Sequence, residues 1–337
     1  MEKGRKMAKW KVVLTDREFE NIDQEISILK KVDAEVFAYQ VKDENDLINI
    51  VKDADAVIMQ YANLTSRVIN SMEKCKIISK YAIGLDRIDI AAATKKNICV
   101  CNVPDYCIDE VSTYTIALLL GLNRKISFLC KTVKKGIWDY KLAKKIYSLA
   151  GAKIGLIGFG RIAKDVARKA QIFGLEVVAM DPFVEQEVAD QYKVRMVDFD
   201  ELIETSDIVS IHVPDIPSTK GMMNRNAFKR MKTTAYLLNM GRGPVINELD
   251  LIWALQNKEI AGAALDVTDP EPIAIDSPLL NMDNVIITPH AAYYTEESQA
   301  ELQRRTAESV AQRLDGYYPK DLANKEIKRF VNLKEYV

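Results

Sequence analysis

The chain has 337 residues, more than a single hydrophobic core usually organises, so two domains are expected. With 48% hydrophobic and 28% charged residues it reads as a globular chain able to bury real cores. A net charge of -1 leaves no electrostatic footprint for nucleic acid or an anionic membrane.

The chain begins with a basic stretch over residues 1–11. The apolar run after it (Val12, Val13, Leu14) is far too short for a signal sequence or a membrane span, so the cytoplasm is the expected compartment. Strands are predicted at 11–15, 56–59 and 76–81, with helical patterns at 16–32 and 44–52 between them. Cys99 and Cys101 alternate in a further strand at 99–103 and so face one side of it. With Cys75, Cys107 and Cys130 they make an odd set of five, all in the first half of the chain. The two histidines, His212 and His290, lie far from them. No metal site and no disulfide framework are therefore expected, and the cysteines read as buried free thiols. Pro104 ends the strand, and a nearly continuous apolar helix is predicted at 109–127. Its leucines 118, 119, 120 and 122 suit burial between domains or between two copies in a homodimer.

From residue 153 the alternation becomes regular. Strands are predicted at 153–159, 176–181, 207–213, 235–240, 261–267 and 285–288, and helices at 162–173, 198–205, 225–231 and 248–256. Such alternation predicts an α/β fold with a Rossmann-type doubly wound parallel sheet. A last helix is predicted at 295–314, where Glu296 and Glu297 favour the positive end of the helix dipole.

The strand at 153–159 runs into Gly158-Phe159-Gly160-Arg161-Ile162-Ala163. In this pattern the first glycine permits the tight turn and the second lets a pyrophosphate approach the backbone at a helix N-terminus. The third position needs only a small side chain, which Ala163 supplies. Asp181 ends the next strand, where a carboxylate grips ribose hydroxyls and repels a 2′-phosphate, so NAD is expected rather than NADP.

Three polar residues stand beyond the ends of late strands: Arg242, Glu271 and His290. Reduction of a 2-oxo acid needs a cation to hold the carboxylate and polarise the carbonyl, a task suited to the guanidinium fork of Arg242. It needs an acid in the range of His290, and a carboxylate such as Glu271 to orient the imidazole and keep it charged. His212 also ends a strand but has no acid following it, so it is expected to border the cofactor rather than donate protons.

These residues lie in stretches that resemble the D-isomer-specific 2-hydroxyacid dehydrogenase family: 102–106, 158–163, 206–214, 239–243, 264–267 with Glu271-Pro272, and 288–290. In pattern the chain is most similar to the C-terminal-binding-protein-like branch. It departs from that branch at Tyr293, where Trp is common, and from the family at Ala82, where Gly is common. The resemblance implies that Arg242, Glu271 and His290 are the catalytic set and that Asp266 holds the nicotinamide amide. It also implies that Ala82, Ile83 and Gly84 bind the substrate carboxylate through backbone N–H groups. Along the cofactor it places Thr115, Val213, Pro214, Thr219, Met240, Gly241 and Ala292, besides the glycine loop, Asp181 and His212. It further implies that the NAD-binding domain (102–291) is inserted in a smaller flavodoxin-like α/β substrate domain (1–101 with 292–337), and that the protein is a homodimer.

Tyr81, Arg87, Tyr293 and Tyr294 are candidates for lining the substrate side. Lys80 and Arg87 could add charge for a substrate with a second anionic group, but the expectation for both is a solvated surface position. The stretch after His290 is too short for the regulatory domain that phosphoglycerate dehydrogenases often carry, so none is expected. The expected activity is NAD-dependent reduction of a 2-oxo acid. The alternative is an NAD(H)-sensing regulator with little turnover.

Overall fold

A computed structural model describes residues 8–336. The chain divides into two compact units, each built on one parallel sheet. One unit takes the chain up to Tyr106 and again from Thr295, and the other is Cys107–Tyr294.

In the first unit the order is β1 (Trp10–Leu14), α1 (Asp23–Lys30), β2 (Ala34–Ala38), α2 (Glu44–Val51), β3 (Ala56–Met59), α3 (Ser66–Ser71), β4 (Ile77–Lys80), α4 (Ile90–Lys95) and β5 (Cys99–Cys101). The strands lie side by side as β2-β1-β3-β4-β5, the flavodoxin-like arrangement. Its inner strands are buried on both faces. Val12 and Leu14 pack with Phe19, Leu29 and the C-terminal helix, while Val13 packs with Leu47, Val51 and Val68 on the other side. Cys99 and Cys101 share the first of these faces, as their alternation requires. Cys75 and Cys107 are buried too, whereas Cys130 is exposed, against expectation.

The second unit begins with α5 (Ile108–Asn123) and α6 (Ile126–Lys134). It continues with β6 (Lys153–Ile157), α7 (Arg161–Ile172), β7 (Glu176–Met180), α8 (Gln186–Asp190), β8 (Arg195–Met196), α9 (Phe199–Thr205), β9 (Ile208–Ile211) and α10 (Arg225–Arg230). β10 (Tyr236–Asn239), α11 (Glu248–Gln256), β11 (Gly262–Leu265) and β12 (Val285–Ile287) complete it. The sheet order is β12-β11-β10-β9-β6-β7-β8, so the winding direction reverses between β6 and β9. The chain then re-enters the first unit as α12 (Glu296–Leu314), whose N-cap Thr295 accepts from Ser298 N–H.

Two predicted elements differ in form, and one strand has no counterpart among the predicted elements. The helix expected at 16–32 starts only at Asp23, because Asp16 is occupied in holding the end of β3. The helix expected at 109–127 breaks at Lys125, which takes a left-handed conformation (φ 52°) and starts α6 in a new direction. β2 is a partly exposed edge strand without clean alternation, and the sequence reading passed over it.

Candidate active site

Walking across the second sheet, the carboxyl ends of six neighbouring strands deliver the expected residues in spatial order. β12 leads to His290, β11 to Asp266 and Glu271, β10 to Arg242, β9 to His212, β6 to the glycine loop and β7 to Asp181. In an open parallel sheet this edge is where ligands bind, next to the point where the winding reverses.

His290 Nδ1 lies 3.1 Å from Glu271 Oε2, with the two side chains 40% and 42% exposed. Burial pushes the Glu271 carboxyl up. The hydrogen bond and charge of His290 oppose it, joined by the Thr268 N–H and the charge of Arg242, and together they hold the carboxyl below its ordinary value. His290 itself sits in the left-handed region (φ 52°), a conformation costing a non-glycine residue on the order of 1–3 kcal/mol. The compensation comes from Asp266, 3% exposed. Its carboxylate accepts from Thr288 Oγ1 at 2.7 Å, Ala291 N at 2.9 Å and Ala292 N at 3.0 Å. Its backbone carbonyl accepts from His290 N at 2.9 Å. The residue expected to face nicotinamide therefore also shapes the histidine loop.

Arg242 is placed by buried Asn239. The Asn239 amide accepts from Gly241 N–H at 3.0 Å and donates to Arg242 O at 3.0 Å, closing the turn beyond β10. The Arg242 guanidinium donates to Gly241 O at 2.8 Å. Both glycines of this motif are demanded by close approach: a Cβ at Gly241 would lie 2.6 Å from Val213 O, and one at Gly243 would lie 2.0 Å from Thr268 O.

The segment after β9 is pressed between two glycines, since a Cβ on Gly158 (φ +89°) would lie 2.9 Å from His212 O. Burial pushes the His212 ring down to about 4, so it is neutral over the physiological range, and its Nε2 lies 2.9 Å from Ser210 Oγ. Thr219 holds the following turn, its hydroxyl 2.5 Å from Pro214 O. Met240 N–H donates to Ile211 O.

The glycine loop fits a dinucleotide on the chemistry of its donors. Gly160 caps α7 without any side-chain hydrogen bond, and a Cβ there would meet nothing within 4 Å. The first-turn N–H groups of Arg161, Ile162 and Ala163 thus stand at an open, positive helix end. Phe159 is wholly buried and contributes only backbone; its N–H donates to Asp181 Oδ2 at 2.9 Å. Asp181 Oδ1 accepts from Phe183 N–H, so the carboxylate is fixed at the strand end. Thr115 differs from these residues: it is fully buried, and its hydroxyl donates to Val111 O within its own helix.

In the first unit, the loop after β4 is anchored by its carbonyls. Ala82 O accepts from Val103 N–H, and Ile83 O accepts from the Asn102 amide at 2.6 Å. Gly84 closes this loop, partly exposed. Lys80, expected to be solvated, is 4% exposed, because β4 is covered on both faces; Arg87 is exposed as expected. Tyr293 packs edge-on to His290 with ring centroids 6.2 Å apart, and Tyr294 is exposed. The clamps Asn239 and Asn102 and the loop-shaping task of Asp266 were not foreseen, although all three lie inside the motifs that carried the resemblance.

Residues 116–292 match the family model described as D-isomer specific 2-hydroxyacid dehydrogenase, NAD binding domain. The D-3-phosphoglycerate dehydrogenase of Methanocaldococcus jannaschii is 37% identical over 317 residues, 93% of this chain and 59% of that protein. The chain therefore spans less than two thirds of this relative's length. The glyoxylate reductase of Thermofilum pendens is 34% identical over 311 residues, 90% of this chain and 91% of that protein. The solved structure of D-lactate dehydrogenase from Aquifex aeolicus, complexed with NAD and lactic acid, matches with a TM-score of 0.82 at 30% identity, covering 89% of this chain and 94% of that one. The regulator alternative draws no support from these relatives.

Proposed function

We propose, from the premise that the chain belongs to the D-isomer specific 2-hydroxyacid dehydrogenase family, that it reduces a small 2-oxo acid at C2 with NADH. The observation that carries this reading is the His290–Glu271 hydrogen bond at 3.1 Å, with the charge of Arg242 acting on the same carboxylate. When bound, the nicotinamide supplies or accepts the hydride. His290 delivers a proton to the carbonyl oxygen as charge develops there, and in the reverse direction takes it from the hydroxyl. Glu271 keeps the imidazole oriented through the hydrogen bond to His290 Nδ1. Arg242 binds the substrate carboxylate and polarises the carbonyl. In the first unit, the backbone N–H groups of Ile83 and Gly84 are the candidates for holding an anionic group.

Asp181 reads the ribose, and the helix end at Gly160 to Ile162 takes the pyrophosphate. Neutral His212, with Val213, Pro214, Thr219, Met240, Gly241 and Ala292, borders the cofactor, and Asp266 meets the nicotinamide amide. On this reading the second unit is the NAD-binding domain, the first is the substrate domain, and the protein works as a cytoplasmic homodimer.

The test is NADH oxidation against 2-oxo acids that differ in side-chain size and charge. Turnover on at least one is expected. NADH binding without turnover on any of them would overturn the dehydrogenase reading.

A further inference from the structure

We infer that Arg17 reads a second anionic group at the far end of the substrate, making the preferred substrates 2-oxo acids that carry a carboxylate or phosphate beyond C2. This rests on the dehydrogenase reading above.

Arg17 stands three residues past β1, at the carboxyl edge of the first sheet, where β1, β3 and β4 are successive neighbours. The carboxylates around it are occupied by neutral donors. Asp16 accepts from the N–H groups of Gln60 at 3.2 Å, Tyr61 at 2.5 Å and Ala62 at 3.2 Å, and from the Thr15 hydroxyl at 2.7 Å. Glu18 accepts from the Tyr61 hydroxyl at 2.9 Å. Glu25, 0% exposed, accepts from the Tyr81 hydroxyl at 2.6 Å and the Gln303 amide at 3.0 Å.

None of these acids takes the Arg17 guanidinium, whose Nε is buried without a hydrogen-bond partner. The residue is nevertheless held at its base: Gln40 accepts from Arg17 N at 2.7 Å and donates to Arg17 O at 2.8 Å. Its charge reaches the hydroxyl of Tyr81, the residue directly before the loop at 82–84.

A buried, unpartnered N–H of a cation is costly unless an anion supplies the missing acceptor. A carboxylate or phosphate suits the fork of Nε and Nη, which can bind two oxygens in parallel. β1 and β4 are separated by one strand, hence about 9–10 Å apart, and an arginine side chain closes part of that distance. The remainder suits a short molecule with one anionic group on the N–H groups of Ile83 and Gly84 and the other on Arg17.

The experiment compares the wild type with Arg17→Gln and Arg17→Lys, using matched 2-oxo acids and NADH. One arm sets 2-oxoglutarate against 2-oxopentanoate, and the other sets phosphohydroxypyruvate against hydroxypyruvate, which separates carboxylate from phosphate. Arg17→Gln is expected to lower kcat/KM for the anionic member of the preferred pair by about 10–100-fold, mainly through KM, with about threefold or less on its neutral partner. Arg17→Lys should recover part of the loss. Equal losses on both members, or no loss on either, overturn the inference.

If nothing turns over, the same pairs are compared by thermal shift with NADH present. A shift given only by an anionic member and lost in Arg17→Gln upholds the role of Arg17 while the dehydrogenase reading falls. Equal shifts with both members, or none with either, overturn the role of Arg17.

Discussion

The carboxyl edges of the two sheets are built by the same device and put to different use. At each edge an aspartate directly past a strand is buried and accepts several N–H groups: Asp16 from 60–62 in the smaller sheet, and Asp266 from 291–292 in the larger. The first draws the end of β3 onto the end of β1. The second bends the chain so that His290 adopts a positive φ with its ring on Glu271. One edge therefore ends in shaped backbone with Arg17 Nε left without a hydrogen-bond partner, and the other in a coupled imidazole and carboxylate. The lesson is that a buried carboxylate at a strand end is foremost a builder of loops, and that chemistry resides in the groups those loops present.

The sharpest way to break this comparison is His290→Ala. Turnover should fall by about 10²–10⁴, as expected for loss of a general acid, with NADH affinity largely kept. Unchanged turnover in steady-state assays would remove the chemical distinction between the edges.

His212 supplies the next effect, through pH. Its folded value of about 4 lies below the ordinary 6.5, so the folded state binds fewer protons than the unfolded one between those values. The stability it contributes is complete above pH 6.5 and is lost as pH falls towards 4, a change of roughly 3 kcal/mol. Denaturant titrations of His212→Gln should show a flatter acid limb in that window than the wild type; identical limbs would mean that the ring is not buried neutral.

Asp16→Ala tests the builder role in the smaller sheet. Orphaning the N–H groups of 60–62 should cost about 2–4 kcal/mol in chemical denaturation. A negligible cost would leave the comparison without its common device.

The smallest effect is expected from Asp181→Ala, which should weaken NAD binding by about 10-fold and relax discrimination against NADP, on the scale of one charge-assisted hydrogen bond. Titration of both cofactors checks this, and an unchanged preference would point to another reader of the ribose.

The glycine loop, Asp181 and the trio Arg242, Glu271 and His290 could all be read from the chain. Their meaning depends on local pattern: a strand, a tight turn, a helix start, and a fixed interval to the next strand end. The second sheet was legible for the same reason, because its short apolar runs repeat between helical patterns. β2 was not, since this edge strand has no buried residue and its sequence (Ala34-Glu35-Val36-Phe37-Ala38) lacks strict apolar–polar alternation. Nor was the break of the long apolar helix: Lys125 changes direction, while Gly121, four residues earlier, stays helical within α5.

What the sequence by itself determined is thus the order of elements around each strand end and the identity of the polar groups placed there, because both follow from spacing along one chain. What only the tertiary structure decided is which of those groups are spent and which stand ready. Asp266 is spent on the His290 loop and Asp16 on β3, Lys80 is buried, and Arg17 Nε is left without a hydrogen-bond partner. Burial and hydrogen-bond satisfaction belong to the neighbours that packing brings in from distant parts of the chain, and no local pattern names them.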